Sequence, residues 1–128
     1  MWLWFPAKSR WVRYFCNERD PSTNGRRPMH AVLEYTYEDN YLQTREKYRP
    51  DHLRAAWAAV ERGDLLLGGA VGEGPFTGLL IFTGENPLEA ARAFAAADPY
   101  VTSGVVTAWT ARPWTTVIGK EAATPVRP

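Results

Sequence analysis

The pattern of apolar residues between positions 50 and 83 limits the folds that this chain can adopt. It has helical spacing at first and then forms two strand-like runs around a tight turn. Residues 50–62 carry an apolar stripe at helical spacing that ends at Gly63, formed by Leu53, Ala56, Trp57 and Val60. Residues 64–71 and 76–83 are apolar runs on either side of Gly72-Glu73-Gly74-Pro75. The pattern predicts one helix followed by a β-hairpin.

The flanking segments complete the order of elements. Residues 30–37 are rich in β-branched and aromatic side chains and predict a strand before the helix. Asn86 as N-cap and Pro87 at the first helical position begin a second helix, which ends at Asp98-Pro99. Residues 104–112 predict the last strand. The order is βαββαβ in one domain, which is the α+β, ferredoxin-like arrangement.

Two chemically useful side chains are predicted to meet at one edge of this sheet. In the ferredoxin-like strand order 4-1-3-2, the end of the first strand lies beside the start of the fourth, which brings His52 and Asp98 together. A carboxylate that accepts from one imidazole nitrogen leaves the other nitrogen free to act as a base. The alternative is structural: His52 caps its helix, and Asp98 satisfies backbone amides ahead of Pro99.

Neighbouring residues suggest how a ligand would be held. Arg49, just before the first helix, either clamps a carboxylate or phenolate or forms an exposed salt bridge. Tyr100 either donates a hydrogen bond to a ligand or anchors the start of the last strand. The connection of residues 38–48 exceeds the usual loop length and is either a lid or an ordinary surface loop.

The predicted sheet has apolar side chains on both faces. Residues 76–83 place Leu80 and Phe82 on one side and Leu79 and Ile81 on the other, and the last strand sets Val105 and Trp109 opposite Val106 and Ala108. The helices of a ferredoxin-like fold cover one face alone. The other face therefore predicts a protein partner.

Charge and motif content argue against several classes. Residues 29–128 carry nine Lys/Arg against twelve Asp/Glu, without the basic stripe that nucleic acid requires. Cys16 is the single cysteine, which rules out an intrachain disulfide and favours a cytoplasmic setting. We predict no metal, because His30 and His52 are the only histidines and a zinc site would need more nitrogen or sulfur ligands. His30 is interpreted as a structural or interface residue. No apolar run reaches membrane-spanning length, and P-loop, nucleophile-elbow and HExxH motifs are absent.

Residues 1–28 differ from the rest, with six Lys/Arg against two acids and a linker-like end. They are interpreted as an N-terminal extension, either a translated or disordered leader before a native start at Met29, or an ordered appendage. In the second case Trp2 and Trp4 would pack on a neighbouring apolar surface. Residues 29–119 form the predicted domain, and residues 120–128 a loose C-terminal tail.

Two strings and the run between them resemble the YCII-related (YciI-like) family over about residues 29–118. They are Arg49-Pro50-Asp51-His52-Leu53, Gly63-Asp64-Leu65-Leu66-Leu67-Gly68-Gly69 and Ala97-Asp98-Pro99-Tyr100-Val101. The resemblance implies a dimeric α+β barrel with two facing sheets, and its His-Asp pair corresponds to His52 and Asp98. A branch of the family performs dehydrochlorinase-like elimination on hydroxylated aromatic rings. Ala70 departs from the family, which often has proline there, and puts the shape of the adjoining loop in doubt.

We therefore predict a cofactor-independent lyase or isomerase that acts on a small anionic or hydroxylated aromatic ligand. His52 would move the proton, Asp98 would orient His52, and Arg49 and Tyr100 would bind the substrate. One alternative is a homodimer that binds a small molecule in the same cleft without catalysis. Another is a cofactor-free monooxygenase, which rests on analogy of fold.

Overall fold

The computed structural model describes residues 29–128, and predictions on residues 1–28, including Cys16, lie outside that part. Its elements, in order, are β1 (Met29–Tyr37), α1 (Tyr41–Thr44), α2 (Arg49–Glu61), β2 (Leu65–Val71), β3 (Thr77–Gly84), α3 (Pro87–Ala97), α4 (Pro99–Thr102) and β4 (Val106–Trp114). The predicted βαββαβ order is confirmed, and α1 and α4 are additional short helices. No helix in the described part is long and apolar enough to cross a membrane.

The four strands form one antiparallel sheet in the order β2-β3-β1-β4, as the ferredoxin-like topology predicts. The central strand β1 sets Leu33 opposite Leu80 of β3 and Ala111 of β4. Because strand residues alternate between faces, Leu33 and its same-face neighbours point toward the helices. They form the core with Phe82 of β3 and Phe94 of α3. Helix α3 packs over β1, and α2 packs over β2.

The connection of residues 38–48 is structured rather than an open loop. It contains α1 and a 3₁₀ turn, Arg45–Lys47, that leads directly into α2. Glu38 organises its start, because the carboxylate accepts hydrogen bonds from the Asn40 amide and the Thr44 hydroxyl. These two bonds lower the pKa of Glu38. A segment fixed in this way can hold its side chains in a defined position beside α2.

The sheet face away from the helices is less uniformly apolar than predicted. Val32 and Ile81 pair on it, but Glu34 and Arg112 form an ion pair of 2.6 Å across β1 and β4. A register shift at Thr36/Tyr37 changes the alternation of faces near the start of β4. As a result Val106, predicted on the face of Ala108, pairs with Tyr37 and joins the helix-side core, where Val105, the residue before β4, is buried too.

The C-terminal segment folds back on itself through the side chain of Thr116. The Thr124 and Val126 amides donate to the carbonyls of Thr116 and Val117, at 3.0 and 2.8 Å. The Thr116 hydroxyl lies 2.7 Å from Nδ1 of the buried His30 and accepts from the Ala123 amide at 2.8 Å. His30 thus has a structural contact, as interpreted from the sequence.

Candidate active site

Asp98 occupies the junction between α3 and α4. Its backbone is extended, with φ −66° and ψ 125°, so that α3 ends there and Pro99 begins α4. The side chain is buried and accepts a hydrogen bond from the Tyr100 amide at 3.0 Å. This is the turn-stabilising role that an Asp-Pro sequence predicts.

The same carboxylate receives two more donors. The Tyr35 hydroxyl donates to Oδ2 at 2.6 Å, and Nδ1 of His52 lies 2.9 Å from Oδ1 and 3.0 Å from Oδ2. Because an ionised carboxylate accepts only, Nδ1 carries the hydrogen and Nε2 of the neutral ring is left as an acceptor. The structural and the functional interpretations of Asp98 are therefore compatible in this geometry.

His52 is held by packing as well as by Asp98. It lies in the first turn of α2, where its amide donates to the Tyr48 carbonyl at 3.0 Å. Its ring stacks on Tyr100, with centroids 3.8 Å apart and planes 5° from parallel, and meets the Phe94 ring edge-on. The side chain is 15% exposed, and within residues 29–128 Nε2 has no hydrogen-bond partner. The ring is fixed in place and presents its second nitrogen outward.

Tyr35 is a member of this arrangement that the sequence analysis did not single out. It lies on the helix-facing side of β1, almost fully buried. Burial raises the pKa of its hydroxyl, and the neighbouring Asp98 carboxylate raises it further, so the hydroxyl stays protonated and donates. Strand alternation could have shown that Tyr35 faces the helices, but not that its hydroxyl reaches Asp98.

His52 opens onto a cavity of about 440 Å³ between α2, β2 and the segment before α2. Its polar wall consists of Tyr37, Tyr41, Arg45, Arg49, His52 and Tyr100. Its apolar wall includes Leu53, Ala56, Trp57, Val60, Leu65, Leu67 and Leu80. Apolar walls with a few convergent polar groups are typical of small-molecule sites. Three of the four predicted site residues line the cavity, and Asp98 lies behind His52.

Aromatic and cationic side chains organise the polar wall. Tyr37 and Tyr41 stack with centroids 3.9 Å apart, and the Arg45 guanidinium lies 5.1 Å from the centre of the Tyr41 ring. Burial raises the pKa of Tyr37 and of Tyr100, so both hydroxyls remain donors near neutral pH. Within residues 29–128 Arg49 forms no ion pair, so the alternative of an exposed salt bridge finds no acidic partner in the described part of the chain.

Tyr35 and Tyr37 pack against Gly78, where a larger side chain would not fit. Gly78 pairs with Tyr35 in the sheet, and a Cβ there would lie 2.9 Å from Tyr35 Cβ and collide with the Tyr37 hydroxyl. Gly78→Ala is expected to lower the free energy of unfolding by about 1–3 kcal/mol through overpacking. The measurement is urea denaturation, with Gly69→Ala as the control, because a Cβ at Gly69 meets nothing within 4 Å. Equal losses in the two variants would contradict the prediction.

The fold and the cavity define a class: small ferredoxin-like α+β proteins with a carboxylate-oriented histidine at a ligand-sized cleft. The family model of the YCII-related domain matches residues 29–115, and the chain belongs to this family. No group of three or more His, Cys, Asp or Glu side chains in residues 29–128 is arranged to hold a metal ion.

One solved structure similar to this chain is 5-chloro-2-hydroxyhydroquinone dehydrochlorinase from Burkholderia phenoliruptrix AC1100, in complex with 2,5-dihydroxybenzoquinone. The TM-score is 0.56 at 19% sequence identity, and the match covers 69% of this chain and 95% of the other. At that identity the likeness is one of fold. No curated protein sequence matches the chain.

Proposed function

We propose that the protein is a cofactor-independent lyase or isomerase that transfers a proton on a small hydroxylated aromatic substrate. The observation that carries the proposal is the contact of His52 Nδ1 with the buried Asp98 carboxylate, 2.9 Å long, beside a ligand-sized cavity. The pair supplies an oriented base, and the cavity supplies apolar walls for a ring and hydrogen-bond donors for its oxygens.

In the proposed reaction, Nε2 of His52 takes the proton of a ring hydroxyl, and Asp98 stabilises the imidazolium that forms. The electron pair of the O–H bond becomes a carbonyl π bond, a ring π pair is displaced onto a ring carbon, and His52 delivers the proton to that carbon, which completes an isomerisation. If that carbon bears a halide, the neutral His52 takes a second hydroxyl proton, the O–H electron pair forms a second carbonyl, and the halide leaves with its bonding electron pair. The substrate then loses one proton and one halide ion, and no oxidant is consumed.

Support for the substrate class comes from the cavity and from the structural neighbour. The neighbour is a dehydrochlorinase of a chlorinated hydroxyhydroquinone, and a dihydroxybenzoquinone is bound in its structure. In this chain Tyr37, Arg49 and Tyr100 line the cavity together with His52. Donors and cations of this kind stabilise a phenolate, which is the charge that the proposed reaction develops.

The direct test is chloride release from 5-chloro-2-hydroxyhydroquinone and hydrogen–deuterium exchange into hydroquinone rings, each with purified full-length protein. Turnover by the wild type and its loss in His52→Gln would support proton transfer by His52. Undiminished turnover in His52→Gln would overturn it. Retention of 2,5-dihydroxybenzoquinone by both proteins, without conversion of either substrate, would support the non-catalytic binding protein instead.

We further propose that the protein is a homodimer whose two sheets face each other. On the sheet face opposite the helices, Val32 pairs with Ile81 and Leu79 pairs with Glu34, and helices of the described part cover the other face. Leu79→Glu is expected to shift the protein from dimer to monomer, because it would bury a second carboxylate opposite Glu34 in the interface. Light scattering coupled to gel filtration measures the mass, with Ala58→Glu on the exposed surface of α2 as the control. A monomeric wild type would refute the dimer.

A further inference from the structure

Arg45 has donors without partners in the wall of the cavity. It lies in the 3₁₀ turn before α2, half-buried, and its Nη1 donates to the Tyr41 hydroxyl at 3.3 Å. Its Nε is buried and has no hydrogen-bond partner in the described part of the chain. A guanidinium offers five N–H donors, and a buried donor without an acceptor is costly. Nε itself has no accessible surface, so a ligand in the cavity would meet the Nη hydrogens of this half-buried guanidinium, for which the described residues supply one acceptor, the Tyr41 hydroxyl.

Arg49 adds a second positive charge to the same wall. Arg45 and Arg49 both line the cavity with His52, and within residues 29–128 neither guanidinium is within ion-pair distance of a carboxylate. Two neighbouring cations beside an apolar wall repel each other, and an anion placed between them would relieve that repulsion. Lys47, on the same turn, does not line the cavity and lies over the Tyr48 ring.

We propose that Arg45 is a specificity-determining residue: with Arg49 it forms an anion subsite that selects aromatic substrates carrying a second ionised oxygen group. The first such group is the hydroxyl that faces His52, so the inference rests on the proposed function. Planar guanidinium groups bind carboxylate and phenolate oxygens through paired donors, which suits this subsite. The Tyr37 and Tyr41 hydroxyls, on the same wall, add neutral donors.

Titration calorimetry with two matched probes tests the subsite. One probe is 2,5-dihydroxybenzoquinone, with two acidic hydroxyls, and the other is 2-hydroxy-5-methoxybenzoquinone, with one. Arg45→Gln is expected to weaken binding of 2,5-dihydroxybenzoquinone by about 10- to 100-fold, which is the usual effect of losing a charge-assisted hydrogen bond. It should weaken binding of the methoxy probe by less than about 3-fold. Lys47→Gln, which removes a charge from the same turn, should leave both affinities within about 2-fold.

A merely structural role of Arg45 would give a different result. If the guanidinium served only to hold Tyr41, Arg45→Gln would weaken both probes equally and lower the thermal midpoint, and Arg45→Lys would not restore selectivity for the doubly ionised probe. Equal losses, unchanged affinities, or a wild type that does not prefer the doubly ionised probe would each overturn the proposal. Proton transfer is judged separately by His52→Gln turnover, so either idea can fail while the other stands.

Discussion

Replacement of His52 by glutamine is expected to reduce turnover by about 100- to 10,000-fold, the usual contribution of a positioned acid-base group. Glutamine can donate to Asp98 from a similar position, but its amide does not take up a proton at neutral pH. The fold should survive, since glutamine fills much of the volume of the imidazole and keeps a donor toward Asp98. Chloride release from the chlorinated hydroxyhydroquinone, normalised to folded protein, is the measurement.

His30→Gln is the matched control, because His30 is the other histidine of the described residues and lies away from this cavity. Its turnover should stay near that of the wild type even if its stability falls through loss of the Thr116 contact. If His52→Gln kept its activity and His30→Gln lost it, the proposal would be contradicted, and the catalytic histidine would be His30, at the other end of β1.

Replacement of Asp98 by asparagine is expected to cost nearly as much activity with little loss of fold. Tyr35 donates to Oδ2 and the Tyr100 amide to Oδ1, so a single asparagine oxygen cannot serve both. With the oxygen kept at Oδ1 for the Tyr100 amide, the NH₂ group takes the Oδ2 position, where it donates to the Tyr35 hydroxyl and faces Nδ1 of His52. The NH₂ group opposes a hydrogen on Nδ1, and the neutral amide no longer stabilises the imidazolium, so His52 is a weaker base. Turnover of this variant, compared with its urea midpoint, separates tautomer control from stability.

Asp98→Ala is the companion variant and should destabilise the protein strongly. It leaves the buried Tyr35 hydroxyl and the Tyr100 amide without their acceptor, at a cost of about 1–3 kcal/mol for each group. Tyr35→Phe, which removes a single donor to the carboxylate, should cost about 1.5–3 kcal/mol. If Asp98→Asn kept full activity, Asp98 would be structural alone, and the proposed dyad would be wrong.

The order of elements and the meeting of His52 with Asp98 could be predicted from the sequence, because apolar periodicity defines the strands and helices and topology brings their ends together. Contacts that depend on the position of single atoms could not be predicted from the sequence. The reach of the Tyr35 hydroxyl to Asp98 and the exposure of Arg45 to the cavity follow from packing after the chain is folded.

Local irregularities explain other differences between prediction and structure. The register shift at Thr36/Tyr37 turns Val106 to the helix side, and strand alternation alone gives no sign of a bulge. Asn86 stands at the predicted N-cap, and its carbonyl accepts the first helical bond from the Ala90 amide, but its side chain makes no capping bond.

Nitrogen-15 NMR of the imidazole of His52 tests the central claim most directly, since that claim concerns which ring nitrogen carries the hydrogen. For the neutral ring in the wild type, we expect the Nδ1–H tautomer with Nε2 unprotonated, and a larger share of the opposite tautomer in Asp98→Asn. An Nε2–H tautomer in the wild type would contradict the account, because the nitrogen that faces the cavity could not then accept a proton from a substrate.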